Sequence, residues 1–493
     1  MNTTTVSTSL GSYRGIAEHG VCVFRGIPYA RPPLGSQRFR QAEPAPVFTY
    51  VHDCQEFSPS AMQSRRQSLP MSEDCLYLNV WTPAENPDLL PVLVFLHGGS
   101  LMRGSGADEA FHSQELSRSG PAVIITLNFR LGVWGFLDFS FLDESCQSNV
   151  GLRDVLTALE WIHQHIQAFG GDPQRVTLMG QSSGGTMALT LAALPIARKY
   201  LARVISMSGN PILVQPRAHY RSLSRQFLDF TGIRSPSQLR SLSANELLSF
   251  QRKFPAVTRK GAGTFMLVLD DDMIPRLPIP AARSHLPTGL PMLLGTTREE
   301  LSFTLIRPLA RLLEVDHLVD TGANREDDAL RARIRRAYRR YGRRHQAVLR
   351  SEIVFRMPNV WLAEALAAHN PVWQYRFDYS TWLQQLLRLY AFHSSDVPFV
   401  FGRFTTGFGR LLSLLIREKE TISSLSRTMQ RDILTFAAAG RLEWEPVCKD
   451  HFPARCYDRT LTVENAVDAD LLDLFRQTRY FQRSVSGDDP YPF

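Results

Sequence analysis

The sequence VTLMGQSSGGTMALTL at residues 176–191 constrains the fold more than any other stretch of the chain. It joins a β-like run to a helix-like run through Gly-Gln-Ser-Ser-Gly at residues 180–184. The pattern Gly-x-Ser-x-Gly is typical of a sharp strand-to-helix turn, whose apex residue has a strained backbone and needs very small neighbours. Only Ser182 has a glycine two residues away on both sides, so Ser182 is the predicted nucleophile. Ser183 takes the next position, whose backbone N–H faces a developing oxyanion. A purely structural glycine-rich turn is the alternative.

The sequence around this turn alternates between strand and helix patterns. Short apolar runs predict strands, and apolar residues at steps of three and four predict a helix at 155–169, with a second helix at 186–194. The predicted strands lie at 91–99, 122–130, 175–180 and 202–209. Such alternation indicates an α/β fold with a mostly parallel central sheet and helices on both faces. Two more polar, helix-like stretches, at about 210–261 and 305–385, are predicted to be cap-like insertions in a single domain that spans residues 1–493.

A serine nucleophile needs an oxyanion site, a base and an acid. The sequence HGGS at residues 97–100 ends an apolar run, so its glycines are candidates for a second source of N–H donors, although an ordinary turn is the alternative. Seven histidines follow the nucleophile, and the loop context AFHSSDVPFVFG favours His393 as the base. For the acid, the sequence GTTREEL offers both Glu299 and Glu300 just beyond a predicted strand. The residues alone leave that choice open.

Composition excludes several other classes of protein. The chain has 493 residues, 44% of them hydrophobic, which is enough for a large core without disulfide bridges. No Walker loop, dinucleotide fingerprint or zinc-like cysteine spacing is present, and His163 and His165 point to different helix faces, so we expect no cofactor and no metal. The start of the chain does not resemble a signal peptide, and the apolar runs are too short to span a membrane. We therefore expect a cytoplasmic protein with reduced thiols.

Much of the net charge of +8 lies in the arginine-rich stretch at residues 331–350. Such a stretch can attract an anionic membrane or nucleic acid. It can also be the solvated face of a helix, and Ile334, Tyr338 and Tyr341 lie at helical spacing on one side. We favour the second interpretation and predict neither a nucleic-acid nor a membrane partner.

Several sequence blocks resemble those of the type-B carboxylesterases, a family that includes bacterial para-nitrobenzyl esterases and the cholinesterases. The blocks are FRGIPYARPPLGSQRF at 24–39, EDCLYLNVWTP at 73–83, NFRLGVWGFL at 128–137, NVGLRDVLTALEWI at 149–162 and FGGDPQRVTLMGQSSGG at 169–185. The resemblance implies an α/β-hydrolase fold with helical cap regions. It also implies a nucleophile, an acid and a base at Ser182, Glu300 and His393. The implied oxyanion donors are Gly99, Ser100 and Ser183.

The chain departs from the family pattern at several positions. The residue before the nucleophile is usually Glu and is Gln181 here, so we expect weaker electrostatic support for the imidazolium. Ser100 replaces the third glycine of the oxyanion loop, and Leu301 replaces the glycine that usually follows the acid. Ala61 stands where the family has a cysteine that pairs with Cys75. Cys54 is a possible substitute, but we predict free thiols. No tryptophan lies between Cys54 and Cys75, so we do not expect choline esters to be preferred substrates.

These observations predict a serine carboxylesterase that hydrolyses small-to-medium carboxylic esters through an acyl-enzyme. An acyltransferase or biosynthetic tailoring enzyme with the same Ser-His-Glu triad is one alternative. A non-catalytic, cholinesterase-like binding protein is another. The expected partner is a small-molecule ester. The sequence does not specify the acyl group, the alcohol group or the oligomeric state.

Overall fold

One large sheet organises the protein. The computed structural model describes residues 2–64, 67–85, 88–260, 263–285, 287–302, 325–404 and 418–486. Thirteen strands of this part of the chain form the sheet, in the order β1-β2-β3-β7-β9-β8-β10-β11-β14-β15-β16-β17, with β4 paired to β2. The strands, including the short pairs β5-β6 and β12-β13, are β1 Asn2–Ser7, β2 Ser12–Glu18, β3 Val21–Pro28, β4 Val51–Asp53, β5 Ser60–Ala61, β6 Met71–Ser72, β7 Tyr77–Pro83, β8 Leu90–Leu96, β9 Val123–Leu127, β10 Gly171–Gln181, β11 Arg203–Met207, β12 Val214–Gln215, β13 Leu267–Val268, β14 Met292–Thr297, β15 Val372–Phe377, β16 Pro453–Tyr457 and β17 Thr462–Asn465.

The centre of the sheet is parallel, as predicted. From β9 through β8, β10, β11, β14 and β15 to β16, each strand pairs in parallel with the next. Antiparallel strands flank this centre, with β7, β3, β2 and β1 on one side and β17 on the other. Because parallel strands point the same way, their carboxyl ends meet at one edge, where loops from different strands converge. The alternation of strand and helix patterns therefore predicted the architecture of the central sheet correctly.

Helices cover both faces of the sheet. The predicted helix at 155–169 is observed as Val150–His165, extended by a 3-10 helix at Ile166–Phe169, and the helix after the elbow runs Ser183–Ala192. The α-helices are α1 Gln114–Arg118, α2 Gly132–Phe136, α3 Val150–His165, α4 Ser183–Ala192, α5 Pro195–Arg198, α6 Arg217–Thr231, α7 Pro236–Ser241, α8 Ala244–Lys253, α9 Pro255–Lys260, α10 Pro278–Arg283, α11 Arg325–Tyr338, α12 His345–Ser351, α13 Met357–Ala367, α14 Trp382–Leu386, α15 Val397–Phe401, α16 Lys419–Ala439, α17 Ala469–Arg476 and α18 Arg479–Ser486. Further 3-10 helices lie at Gly35–Gln37, Glu109–Phe111 and Arg339–Arg344, and a π-helical turn at Glu352–Arg356 precedes α13.

Two cores, one on each face, hold the sheet in place. Successive side chains of a strand point to opposite faces, so Val94 of β8 packs into one core while Leu93 and Phe95 pack into the other. Helix α3 buries Leu159 in the first core, and helix α16 buries Met429 in the second. Each fully buried side chain of this size contributes about 1.5–3 kcal/mol relative to its exposed state. Burial on both faces explains why these strands are continuously apolar.

The predicted insertions correspond only in part to the observed elements. Within 210–261 the chain forms α6, α7, α8 and α9. The second range, 305–385, contains β15, which pairs with β14 and β16, so its C-terminal part belongs to the central sheet. No strand was predicted here, although VWQYRF alternates aromatic and polar residues, which is a strand pattern. Residues 305–324 of this range lie outside the described residues.

The arginine-rich stretch begins in helix α11 and ends in helix α12. Ile334 and Tyr338 are buried and Tyr341 is half-buried, while most of the arginines around them are exposed. The helical spacing of these apolar side chains therefore corresponds to one packed face.

Candidate active site

The predicted nucleophile lies at a sharp turn between β10 and α4. Ser182 has φ 56° and ψ −124°, a sparsely populated conformation for a residue with a side chain. Its amide donates to the carbonyl of Met207 (2.8 Å), which fixes the turn against β11. Steric crowding requires glycine near the nucleophile, because a Cβ at Gly184 would lie 2.2 Å from the carbonyl oxygen of Leu96. This conformation places Ser182 at the carboxyl edge of the sheet.

A chain of two hydrogen bonds connects the three predicted catalytic residues. The distance from Ser182 Oγ to His393 Nε2 is 2.8 Å, and that from His393 Nδ1 to Glu300 Oε2 is 2.6 Å. Glu300 is fully buried, whereas 19% of the His393 side chain is exposed. The geometry therefore joins a hydroxyl, an imidazole and a buried carboxylate in the order that nucleophilic catalysis requires.

The structure distinguishes the two adjacent glutamates at the end of β14. Glu300 contacts His393, whereas Glu299 faces away and pairs with Arg344 at 2.8 Å. Residue patterns alone did not separate them, because both follow the same strand. The family resemblance had implied Glu300.

The buried carboxylate of Glu300 has a partner that the sequence did not reveal. Glu300 Oε1 accepts a hydrogen bond from Ser208 Oγ (2.6 Å) and another from the Thr297 amide (2.7 Å). Ser208 follows β11 with φ 51° and is fully buried. Together with the His393 bond, these donors satisfy the carboxylate and offset the free-energy cost of burying its charge. The only available signal was the position of Ser208 beyond a predicted strand.

Gln181, the residue before the nucleophile, lies beside the imidazole. Its Nε2 donates to Ser394 Oγ (2.7 Å) and lies 3.3 Å from His393 Nε2. Gln181 is buried, so these contacts are shielded from water. Its neutral amide thus occupies the position next to Ser182 and His393, and Ser394 is a second contact that the sequence did not reveal.

The predicted oxyanion loop packs directly against the elbow. A Cβ at Gly98 would lie 2.3 Å from Gln181 Oε1 and 3.0 Å from Ser182 Cβ, so only glycine allows this approach. The loop continues through Gly99 and Ser100, both with positive φ, and the Leu101 amide lies 3.4 Å from Ser183 Oγ. Ser183 is the first residue of α4, so its amide has no acceptor within the helix. The structure thus brings the three predicted donors into neighbouring turns.

His97 supports this loop as a neutral ring. It is buried, and burial lowers its pKa to about 4, so it is uncharged near neutral pH. The ring stacks on Phe129 with centroids 4.5 Å apart, and Nδ1 lies 2.9 Å from the Gly98 carbonyl oxygen. A neutral His97 places no additional positive charge near the nucleophile.

Asp396 is a second buried carboxyl group near His393, the predicted base. Burial, and then the negative charge of Glu300, raise its pKa to about 6. The Tyr375 hydroxyl donates to Asp396 Oδ2 at 2.9 Å. The Phe355 ring lies 4.9 Å from the His393 ring and gives it an apolar neighbour. The imidazole therefore has an aromatic neighbour as well as its buried carboxylate partner, Glu300.

Three further findings concern the described residues as a whole. They contain no group of three or more His, Cys, Asp or Glu side chains that is arranged to hold a metal ion. None of the helices in this part of the chain combines the length and apolar character needed to cross a bilayer. All six cysteines are described, and each is a free thiol, so Cys54 and Cys75 are not bridged.

Comparison with known proteins agrees with the geometry. The model of the carboxylesterase family matches residues 2–454. The chain is 32% identical over 476 residues to the para-nitrobenzyl esterase of Bacillus subtilis (strain 168), covering 93% of this chain and 96% of that protein. It is 33% identical over 426 residues to the phenmedipham hydrolase of Pseudarthrobacter oxydans, covering 82% and 83%. The crystal structure of a Geobacillus stearothermophilus carboxylesterase superposes with a TM-score of 0.83 at 29% identity, covering 96% and 99%. By sequence and by fold, the chain belongs to the carboxylesterase family and is a serine hydrolase that acts on carboxylic esters.

Proposed function

We propose that Ser182, His393 and Glu300 are the catalytic triad of this esterase. The observation that carries the proposal is the continuous hydrogen-bond chain, with 2.8 Å from Ser182 Oγ to His393 Nε2 and 2.6 Å from His393 Nδ1 to Glu300 Oε2. His393 takes the proton of Ser182 as Oγ bonds to the ester carbonyl carbon. It then gives that proton to the departing alcohol. Water then bonds to the acyl carbon as His393 takes its proton, and His393 returns that proton to Ser182 Oγ as the acyl–Oγ bond breaks and the carboxylic acid leaves. Glu300 fixes the imidazole tautomer and stabilises the imidazolium.

The amides of Gly99, Ser100 and Ser183 are the proposed donors to the oxyanion. Support comes from the close approach of the loop after β8 to the elbow at Gly98 and from the position of Ser183 at the start of α4. Such donors act in a shielded site, where each typically contributes a factor of about 10²–10³ to the rate. The Ser100 side chain narrows this side of the site relative to glycine, which favours small acyl groups.

For the substrate, we propose small-to-medium carboxylic esters. One similar protein is named for para-nitrobenzyl esters, which supports this class. We also propose that one domain carries a cap, formed by the polar helices within 210–260 and by the helices within 325–367. A cytoplasmic location, and the absence of nucleic-acid and membrane partners, remain proposals based on the sequence.

Burst kinetics with para-nitrophenyl acetate and butyrate test the proposed function. We expect a burst of one equivalent of nitrophenol followed by steady turnover, both lost in Ser182→Ala. The matched control is Ser183→Ala, which keeps the backbone amide and should retain the burst. A burst with little turnover, restored by an added alcohol, would instead establish acyl transfer. Full activity in Ser182→Ala would refute the proposed nucleophile. A folded protein without burst or turnover would favour a binding role.

A further inference from the structure

Glu299 is a buried carboxylate that the proposed mechanism does not use. It directly precedes Glu300, and only 1% of its side chain is exposed. Its Oε1 accepts a hydrogen bond from Arg344 (2.8 Å), and its Oε2 lies 3.3 Å from the Ala391 amide. A buried charge is expensive unless it is paired. This paired charge lies next to Glu300 and against the loop that carries His393.

The contacts of Glu299 belong to a pairing between two loops. The Glu299 amide donates to the Ala391 carbonyl (3.0 Å), and the His393 amide donates to the Glu300 carbonyl (3.0 Å). The loop after β14 and the loop before His393 are thus held side by side by backbone bonds. The side-chain bond from Glu299 to Ala391 adds a third connection. Any shift between these loops changes the distance between His393 and Glu300.

Arg344 joins this pairing from the arginine-rich stretch. It ends the 3-10 helix Arg339–Arg344, and its guanidinium lies 5.1 Å from the centroid of the Tyr390 ring, next to Ala391. One side chain thus contacts both loops, through Glu299 on one and Tyr390 on the other. The neighbouring Arg343 is exposed. Arg344 is therefore an exception to the solvated face that the sequence predicted for this stretch.

We propose that Arg344 and Glu299 are positioning residues that clamp the His393 loop against the Glu300 loop. The proposal rests on the proposed roles of His393 and Glu300. The clamp fixes the imidazole-to-carboxylate distance and keeps the charge beside Glu300 neutralised. It also links the segment between α11 and α12 to the catalytic machinery.

The charges around Glu299 determine how removing either member of the Arg344–Glu299 pair would affect the imidazolium of His393. Arg344 and, at 3.8 Å, Arg298 are the cations, and Arg298 also pairs with Asp378 at 3.1 Å. Burial raises the pKa of Glu299, while Arg344 and then Arg298 oppose that rise. Loss of Arg344 leaves excess negative charge near His393, which stabilises the imidazolium. Loss of the Glu299 charge leaves excess positive charge and does the opposite.

The test compares Arg344→Met, Glu299→Gln and the double variant, with Arg343→Met as the matched control. We measure kcat/KM for para-nitrophenyl butyrate from pH 5 to 9, together with thermal melting. Because 35% of the Arg344 side chain is exposed, its charge is partly screened, and we expect a fivefold to tenfold loss of kcat/KM at pH 7.5. The acid limb of kcat/KM should move to higher pH in Arg344→Met and to lower pH in Glu299→Gln. The double variant should lose no more kcat/KM than the worse single variant, because both changes remove the same pair, and its acid limb should return toward that of the original enzyme.

This non-additivity separates a shared clamp from two independent packing losses, which would multiply in the double variant. The proposal is overturned if Arg344→Met matches Arg343→Met in both kcat/KM and acid limb, or if the double variant shows only the product of the two single losses. If Arg344→Met does not fold, the acid limb of Glu299→Gln decides the matter by its direction, and an unmoved limb overturns the proposal. Activity in Ser182→Ala would instead refute the proposed function itself.

Discussion

The hydrogen bond from Ser208 to Glu300 makes the sharpest prediction about the acid. Replacing Ser208 by Ala removes a 2.6 Å bond to a carboxylate, with both partners fully buried. Hydrogen bonds to charged groups contribute about 1.5–3 kcal/mol, and water has no easy access to take the place of the hydroxyl. We therefore expect the free energy of unfolding to fall by about 1.5–3 kcal/mol. If about half of this energy is lost in the transition state, kcat/KM falls about fourfold to thirteenfold.

Ser206→Ala provides the control for this prediction. Ser206 is buried in β11 two residues away, and its Oγ has no hydrogen-bond partner among the described residues. Removing this hydroxyl should leave stability unchanged or slightly higher and keep kcat/KM within twofold. Urea unfolding and para-nitrophenyl butyrate kinetics of both variants give the comparison. If Ser208→Ala behaves like Ser206→Ala in both assays, the argument that this bond supports the acid is refuted.

Three further predictions concern other groups of the site and the chain. Gln181→Glu places a carboxylate where an amide nitrogen now lies 3.3 Å from His393 Nε2. The acid limb of the pH profile of kcat/KM should therefore move to higher pH by about one unit. An unmoved acid limb would contradict this placement. The pKa of Asp396 is raised from 3.8 to about 6 in the folded protein, which therefore binds this proton more tightly than the unfolded chain does. The resulting stabilisation of the folded state is complete below pH 3.8 and is lost as the pH rises through 6. This loss is about 3 kcal/mol. Melting temperatures at pH 5 and pH 7.5 should therefore differ more in the original protein than in Asp396→Asn, and equal differences would argue against the shift. Cys448 is the exposed cysteine, so Ellman's reagent should modify it first. All six thiols should react after unfolding, and fewer than six reactive thiols would indicate a disulfide.

The sequence predicted those features that depend on local patterns. The elbow at residues 180–184, the strands beside it and the helix Ser183–Ala192 follow from glycine placement and apolar periodicity, and all were found. The strand Val372–Phe377 was not predicted although its residues alternate, and its place in the sheet depends on β14 and β16, which lie far away in sequence. Local patterns cannot report partners that only the fold supplies.

The same limit applies inside the site. Glu299 and Glu300 have the same sequence context, and only the three-dimensional path of the His393 loop separates them. Ser208 and Ser394 carry no motif, because a serine beyond a strand is common and its partner is set by tertiary contact. The roles of Ser182, His393 and Glu300 thus stay predictions from sequence and family, with a geometry that supports them and an experiment that decides.

The parallel order of the strands also has a consequence for synthesis on the ribosome. Ser182 and His393 are 211 positions apart, and the strand before His393 pairs with β16, which ends at Tyr457. At 5–20 residues per second, the proposed base emerges about 10–40 s after the proposed nucleophile. Throughout that interval Ser182 lacks the imidazole that we propose activates it. We therefore expect esterase activity to begin only after His393 has emerged, so the onset of activity would report a late stage of synthesis.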